Sequence, residues 1–291
     1  MDDFFDFERY LLAPERNREI FHTQIAPTLL RNISAQDQPK AIFIACQPGG
    51  GKSTFCSSLR RKFDDIGGVA VLTGDTYKPF HDRYAEIIAG DDPRASSYFS
   101  LDARKWLAQA QDYVMKHKVH VIYETLMRDE ADYIERVKRF KEVGYQIETV
   151  ILAVPEILSK LGMIWRFYED EERARTHGGP GGRIPLWSTH DTTLNKILET
   201  ADWIDTNPFV DRLTICDRSG KELHVNHRQT DGTWKNAVST REEIEGARKM
   251  EWAITEKEWF QTVSDILLKS QVAEMFRQDI IKLKELFDRE V

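Results

Sequence analysis

The chain has 291 residues, of which 41% are hydrophobic and 11% aromatic, so it can bury a full core in one large domain or one domain with appendages. Its formal net charge of −7 at pH 7 argues against nucleic acid as the main partner, although a local basic patch stays open. No apolar run approaches the roughly 20 residues that a membrane-spanning helix needs, which argues against a membrane protein. The chain starts with an acidic stretch where a secretion signal is basic, and its three cysteines, Cys46, Cys56 and Cys216, lack metal-type spacing. A reduced cytoplasmic compartment is therefore expected.

Apolar periodicity and glycine or proline breaks predict strands that alternate with helices along the chain. Helices are expected over 1–38, 55–63, about 103–114, 130–142, 156–173 and 187–200, and again from about 239 onwards. Strands are expected over 40–46, 69–72, 119–123 (ending on Glu124 and Thr125) and 145–154, with a hairpin over 212–225. Such alternation is typical of a parallel sheet with helices on both faces.

The stretch between the first strand and the next helix has the pattern of a phosphate-binding loop. It reads Gln47-Pro48-Gly49-Gly50-Gly51-Lys52-Ser53-Thr54, and all eight residues are candidates for binding ATP. Glycines let successive backbone N–H groups curl around an anion, and the following helix adds its positive amino end. Lys52 is expected to reach the β- and γ-phosphates, and the Ser53 hydroxyl to ligate Mg²⁺. A glycine turn that merely precedes a lysine is the alternative.

One position departs from the strict pattern G-x-x-x-x-G-K-S/T. Cys46 stands where the first glycine is expected, and a cysteine cannot adopt every backbone conformation that glycine can. The first corner of the loop is therefore expected to differ somewhat from the usual one.

Polar residues follow the second and third predicted strands. In a parallel sheet the carboxyl ends of the strands share one edge, so Asp75 and the pair Glu124–Thr125 are expected beside the loop. Asp75 can act as general base or as a Mg²⁺ partner, and the alternative is a solvated helix-capping residue. A charged side chain at the end of the third predicted strand costs free energy, which favours a functional role for Glu124. The alternative is a structural acid whose hydrogen bonds hold neighbouring residues.

Two arginines complete the set of candidate catalytic residues, Lys52, Asp75, Arg166 and Arg183. Arg166 lies on the predicted 156–173 helix, and Arg183 ends the glycine-rich stretch 178–183, which can be a mobile lid or a plain surface loop. Both can clamp the γ-phosphate, although an isolated surface arginine is usually solvated. A GTPase would need an Asn-Lys-x-Asp motif, and a transport ATPase a Leu-Ser-Gly-Gly-type signature; both are absent.

These features predict an α/β fold: a P-loop NTPase-type three-layer α/β/α core with a parallel sheet, plus N- and C-terminal helical segments. The expected organisation is an N-terminal helical segment (1–38), a P-loop kinase core (39–230) and a C-terminal helical extension (231–291).

The motifs resemble those of the zeta toxin family in order and approximate spacing, over about residues 38–226. The matching elements are Gln47-Pro-Gly-x-Gly-Lys-Ser53, Gly74-Asp75-Thr-Tyr-Lys78 with His81, Val121-Ile-x-Glu-Thr125, Ala153-Val-Pro155 with Leu161-Gly162 and Arg166, and Arg183 ahead of His190-Asp191. The departures are Cys46 and the adjacency of Glu124 and Thr125, which some members separate by a glycine.

The resemblance implies an ATP- and Mg²⁺-dependent kinase of UDP-N-acetylglucosamine that phosphorylates the sugar 3′-hydroxyl, blocks cell-wall precursor synthesis and is held in check by a small helical antitoxin. It further implies that Asp75 is the base, that Glu124 and Thr125 hold the sugar nucleotide, and that Arg166 and Arg183 steady the γ-phosphate. A related kinase of another UDP-sugar or of a nicotinamide dinucleotide stays open, as does a nucleotide-binding interaction protein without turnover.

Overall fold

The computed structural model describes residues 6–90, 95–178, 181–182 and 186–290. Within these residues one sheet of six strands has the order β2-β3-β1-β4-β5-β6. The strands are β1 (Lys40–Ala45), β2 (Ala70–Leu72), β3 (Val121–Thr125), β4 (Gln146–Leu152), β5 (Arg212–Cys216) and β6 (Glu222–His227). The first five strands are parallel, and β6 pairs antiparallel with β5 as the predicted hairpin.

The helices connect and cover these strands. They are α1 (Pro14–Ile20), α2 (Ala26–Leu29), α3 (Lys52–Arg61), α4 (Gly74–Tyr77), α5 (Tyr84–Ile88), α6 (Ser100–His117), α7 (Glu130–Glu142), α8 (Glu156–His177), α9 (Trp187–Thr206), α10 (Thr240–Arg248), α11 (Ile254–Lys269) and α12 (Arg277–Glu290). A π-helical turn over Phe21–Ile25 joins α1 to α2.

Two hydrophobic clusters lie on opposite faces of the sheet, because successive side chains of a strand point to opposite sides. Along β1, Ala41, Phe43 and Ala45 join the cluster under α6, α7 and α9, whereas Ile42 and Ile44 join the cluster under α3 and α8. The fold is therefore the predicted P-loop NTPase-type α/β/α sandwich, with a mostly parallel sheet.

Both terminal segments contribute to these clusters. Ile20 and Ile25 from the amino-terminal helices belong to the first cluster, and Phe260 and Phe287 from α11 and α12 belong to the second. The last two helices thus cover the same sheet face as α3 and α8.

Most predicted elements are confirmed, but within the predicted 1–38 segment the described helices span only 14–29. β3 begins at Val121 because the N–H of Val119 bonds to the carbonyl of Val114 and closes the end of α6. Between α4 and α6, where the sequence predicts no element, the described residues 78–90 and 95–99 contain short helical turns including α5. No helix in the described parts of the chain is both long and apolar enough to cross a membrane.

Candidate active site

The glycine loop between β1 and α3 has the backbone that its sequence predicts. Gly49 and Gly51 have positive φ angles of 78° and 89°, and Gly51 caps the amino end of α3. Residues with a Cβ rarely adopt such angles. The loop therefore places the amino end of a ten-residue helix next to the carboxyl end of β1.

Cys46 adopts the loop start without a left-handed backbone. It is not among the described residues with positive φ, and its side chain is fully buried. A Cβ on Gly50 would lie 2.1 Å from the Cys46 sulfur, so the thiol fills the space that only glycine leaves at position 50. Burial raises the pKa of the Cys46 thiol to about 11. The departure from the usual motif is thus accommodated by a glycine four residues later.

Helix α8 docks directly onto the loop through a second glycine. A Cβ on Gly162 would lie 2.3 Å from the carbonyl oxygen of Gly49, and a Cβ on Gly49 would lie 1.9 Å from the carbonyl oxygen of Ser159. Real Cβ atoms do not approach backbone atoms this closely, so both positions require glycine. The contact couples the loop to the helix that carries Arg166.

A buried chain of hydrogen bonds reinforces this contact. The Gln47 side chain donates to the Val154 carbonyl (2.7 Å) and to the Ser159 hydroxyl (3.2 Å). The Ser159 Oγ lies 2.8 Å from His190 Nε2, and His190 Nδ1 lies 2.9 Å from an Asp191 carboxylate oxygen. Burial lowers the pKa of His190, so the neutral ring donates to Asp191 and accepts from Ser159.

The Ser159–His190–Asp191 geometry resembles a nucleophilic triad, but its surroundings indicate a structural role. Ser159 and His190 are both fully buried, and the hydroxyl also lies near the carbonyls of Pro155 and Glu156 in its own helix. No substrate can reach such a hydroxyl. The chain instead holds Gln47 and hence the loop.

Lys52 bridges α3 and β3. Its ammonium donates to the Thr125 carbonyl at 3.0 Å. Burial lowers the pKa of Lys52, and the charges of Glu124 and Asp75 oppose that shift. Lys52 therefore contacts Thr125 directly, and the charges of Glu124 and Asp75 act on its ammonium.

Glu124 and Thr125 occupy the last two positions of β3. Glu124 is half-buried and faces Cys56 of α3. The pKa of the Cys56 thiol is raised mainly by burial, and further by the charge of Glu124 and a hydrogen bond to it. The Thr125 hydroxyl accepts the N–H of Met127 at 3.0 Å, which leaves its proton free to donate to a ligand.

Asp75 lies in the first turn of the short helix α4, and its side chain is 50% exposed. Its carboxylate lies 2.9 Å from the Lys78 ammonium, which is 11% exposed and also donates to the Ser96 hydroxyl. The ion pair orients the carboxylate, and its exposure leaves it open to a substrate hydroxyl.

The two predicted clamp arginines are placed differently. Arg166 lies one turn after Gly162 on the same face of α8, is 64% exposed, and has a long ion pair of 3.8 Å with Asp170. Its helix contacts the loop one turn earlier, at Gly162. Arg183 lies outside the described residues, although the preceding Gly182 N–H donates to Glu171 at 2.7 Å.

No group of three or more His, Cys, Asp or Glu in the described ranges is arranged to hold a metal ion by itself. The Ser53 and Thr54 side chains are exposed on the first turn of α3. A hydroxyl in this position fits a Mg²⁺ ion that takes most of its ligands from phosphate and water.

The sequence profile of the zeta toxin family matches residues 27–229, more than half of the chain. The chain belongs to the zeta toxin family. Its relatives include the toxin PezT of Streptococcus pneumoniae, which is 20% identical over 234 residues that cover 80% of this chain and 87% of PezT. Toxin zeta of Streptococcus pyogenes is 20% identical over 200 residues, which cover 67% of this chain and 66% of that toxin, just under two thirds of its length.

Solved structures agree on the fold of this zeta toxin family member. The PezAT toxin–antitoxin system of S. pneumoniae gives a TM-score of 0.72 at 18% identity, covering 91% of this chain and 99% of the other. The AvrRxo1-ORF1:-ORF2 complex gives 0.57 at 13% identity, covering 93% and 85%, and its structure with ATP gives 0.51 at 15% identity, covering 92% and 82%.

Sequence reasoning missed the groups that hold the loop in place. Gln47 and Ser159 are 112 positions apart, and no local spacing connects them. The one available signal was Gly162, a glycine inside the otherwise regular predicted helix 156–173.

Proposed function

We propose that this zeta toxin family member is an ATP-dependent kinase that transfers the γ-phosphate to the sugar 3′-hydroxyl of UDP-N-acetylglucosamine. The observation that carries the proposal is the position of Lys52: it lies on a loop whose backbone is built for phosphate, it donates to Thr125 at the end of β3, and the charges of Glu124 and Asp75 act on it. A protein that only binds nucleotide needs no carboxylate beside the phosphate loop. Family membership supports a kinase, and the acceptor is inferred from the motif resemblance.

In this proposal the loop and Lys52 hold the ATP phosphates, and Asp75 receives the acceptor proton. As the sugar oxygen forms its bond to the γ-phosphorus, the bond to the β-phosphate oxygen breaks, ADP leaves, and the hydroxyl proton passes to the Asp75 carboxylate. Lys78 keeps that carboxylate oriented in the resting protein. Arg166 and Arg183 neutralise charge on the transferring group.

The Ser53 hydroxyl is the group that would hold Mg²⁺. When bound, the ion supplies positive charge to the phosphate oxygens. All other groups that act in the proposed phosphoryl transfer are side chains and backbone groups of this chain.

Acceptor choice is assigned to Glu124 and Thr125. A half-buried carboxylate and a hydroxyl with a free proton supply one strong acceptor and one donor to sugar hydroxyl or amide groups. A site built on such contacts discriminates strongly, because a wrong acceptor leaves buried polar groups unpaired.

A small helical antitoxin is the proposed protein partner, and the cytoplasm the proposed compartment. The structural neighbour PezAT is described as a toxin–antitoxin system, which supports a similar arrangement here. We also propose the functional division 1–38, 39–230 and 231–291, in which the middle segment carries the phosphate chemistry.

Incubation of the purified chain with ATP and each candidate acceptor tests the proposal. UDP-N-acetylglucosamine should gain one phosphate by mass spectrometry, whereas another UDP-sugar and a nicotinamide dinucleotide, the two alternative acceptor classes, should not. If the other UDP-sugar or the nicotinamide dinucleotide is phosphorylated instead, that compound is the acceptor. ATP binding without any turnover would indicate an interaction protein.

Variants of the acceptor pair sharpen the test. Glu124→Gln and Thr125→Val should slow acceptor phosphorylation much more than background ATP hydrolysis, and Thr125→Ser should retain activity because it keeps the hydroxyl. If both activities fall in parallel, the pair serves ATP or Mg²⁺ rather than the sugar.

A further inference from the structure

A further cation, Arg218, lies against the phosphate loop, on the turn that follows β5. The stem of Arg218 borders Gly51: a Cβ on that glycine would lie 3.4 Å from Arg218 Cγ and 3.7 Å from Arg218 Nε. Arg218 is thus in contact with the loop residue that precedes Lys52. Neither composition nor motif spacing singled it out.

The turn that carries Arg218 is rigid. One Asp217 carboxylate oxygen accepts the N–H groups of Ser219 and Lys221 and the Ser219 hydroxyl. Gly220 packs on α3, because a Cβ there would lie 3.0 Å from the Phe55 ring. The backbone of Arg218 is therefore fixed relative to the phosphate loop.

The guanidinium of Arg218 is held by stacking and not by a carboxylate. Its central carbon lies 3.8 Å from the ring centroid of Trp259 on α11. Among the described residues it forms no ion pair and no side-chain hydrogen bond, and its Nη1 is buried without an acceptor. Glu256, an acid whose charge acts on Arg218, already accepts the N–H of Ala253 at the start of α11.

Partial burial of a cation that forms no ion pair is costly, and burial accordingly lowers the pKa of Arg218. The partly exposed guanidinium can donate to a ligand while its face stays stacked on Trp259, because no existing side-chain hydrogen bond has to break. A planar fork of N–H donors matches phosphate oxygens, and the adjoining loop is itself an anion site.

We propose that Arg218 binds the phosphate chain of ATP at the Gly51 corner of the loop, and that Trp259 from the C-terminal extension holds it there. The proposal rests on the nucleotide binding of the proposed function and adds a residue from outside the motifs. It also gives the C-terminal helices, which lie beyond the family match at residue 229, a direct part in the nucleotide site.

Calorimetric titration of the full chain with ATP, without acceptor, tests the assignment. Arg218→Met should weaken ATP binding about tenfold to a hundredfold, the range expected for a charge-assisted hydrogen bond. Arg218→Lys keeps the charge but loses the planar fork, so its ATP affinity should lie between those of Arg218→Met and the parent. The two variants should lose affinity for inorganic tripolyphosphate in the same order, because the proposed contact is to phosphate.

Trp259 has its own variants and a matched control. Trp259→Leu should weaken ATP binding about three- to tenfold, while Trp259→Phe keeps an aromatic ring and should bind nearly as the parent does. Trp234→Leu removes the ring under Arg228, a comparable stack at 3.7 Å elsewhere on the hairpin, and should leave ATP affinity unchanged. In turnover assays Arg218→Met should raise KM for ATP and leave KM for the acceptor unchanged.

The outcomes separate this proposal from the proposed function. If Arg218→Met melts like the parent and binds ATP equally well, Arg218 is not a nucleotide contact, whatever the acceptor. Weakened ATP binding with unchanged tripolyphosphate binding would move the contact to the base or ribose and overturn the phosphate assignment. A parent chain that binds neither ligand would overturn both proposals.

Discussion

The Cα of Gly162 lies so close to the carbonyl of Gly49 that a single methyl group at position 162 would stand 2.3 Å from that oxygen. Helix α8 and the phosphate loop therefore meet backbone to backbone. Any side chain at this point must push the loop away from the helix.

Gly162→Ala should destabilise the protein by about 1–3 kcal/mol and weaken ATP binding, because the steric cost exceeds the helix-propensity gain of about 1 kcal/mol. Chemical denaturation and ATP titration measure the two effects. Gly246→Ala on α10 is the control, since nothing lies within 4 Å of its Cβ position, and it should stabilise by about 0.5–1 kcal/mol. Equal behaviour of both variants would show that the loop tolerates displacement.

Lys52→Met should reduce phosphoryl transfer about 10²–10³-fold, the cost of removing one preorganised charge-stabilising donor. The free energy of unfolding should change by no more than about 1–2 kcal/mol, because losing the bond to the Thr125 carbonyl is offset by relief of a buried charge. Turnover and thermal melting are measured on the same preparation. A melting temperature that collapses with the activity would make Lys52 structural.

Asp75→Asn should lower turnover about 10²–10⁴-fold with little change in ATP affinity, because the amide keeps the shape but cannot take a proton. Single-turnover kinetics with saturating ATP isolates the chemical step. Asp65→Asn, an exposed acid after α3, serves as the control. Near-parental turnover would transfer the base role to Glu124 or to solvent.

Stability should fall as the pH drops below about 6.5, in part because of His190. Burial lowers its pKa in the folded protein, so the unfolded chain binds more protons there. The loss begins near the ordinary histidine pKa and ends once folded His190 is itself protonated. Lys160 and Glu156 on α8 and Asp191 on α9 are the charged groups that face the ring, and Lys160 adds to the shift.

Denaturation curves between pH 5 and pH 8 measure this dependence. His190→Gln should flatten it, and the residual slope should reflect His120, whose pKa is also lowered by burial. His117→Gln, at an exposed position, should leave the slope intact. An unchanged slope in His190→Gln would show that His190 does not control it.

Local patterns predicted the local parts of this molecule well. The glycine loop, α7 and the strand-end acids Asp75 and Glu124 follow from short-range periodicity and from the shared edge of parallel strands. Contacts between distant segments left no such signal: Ser159 under Gln47 and Trp259 under Arg218 are set by how α8 and α11 pack. Arg183 stays a sequence-based prediction, since it lies outside the described residues.

The thiol of Cys46 is fully buried beneath the backbone of Gly50, and the Val154 side chain lies beside it. A thiol-alkylating reagent can reach the sulfur only when the loop moves away from it. The alkylation rate of the native protein therefore reports how often the loop opens. With Cys56 and Cys216 replaced, the chain carries a single built-in reporter of loop breathing, placed at the corner where the family motif ordinarily has no side chain.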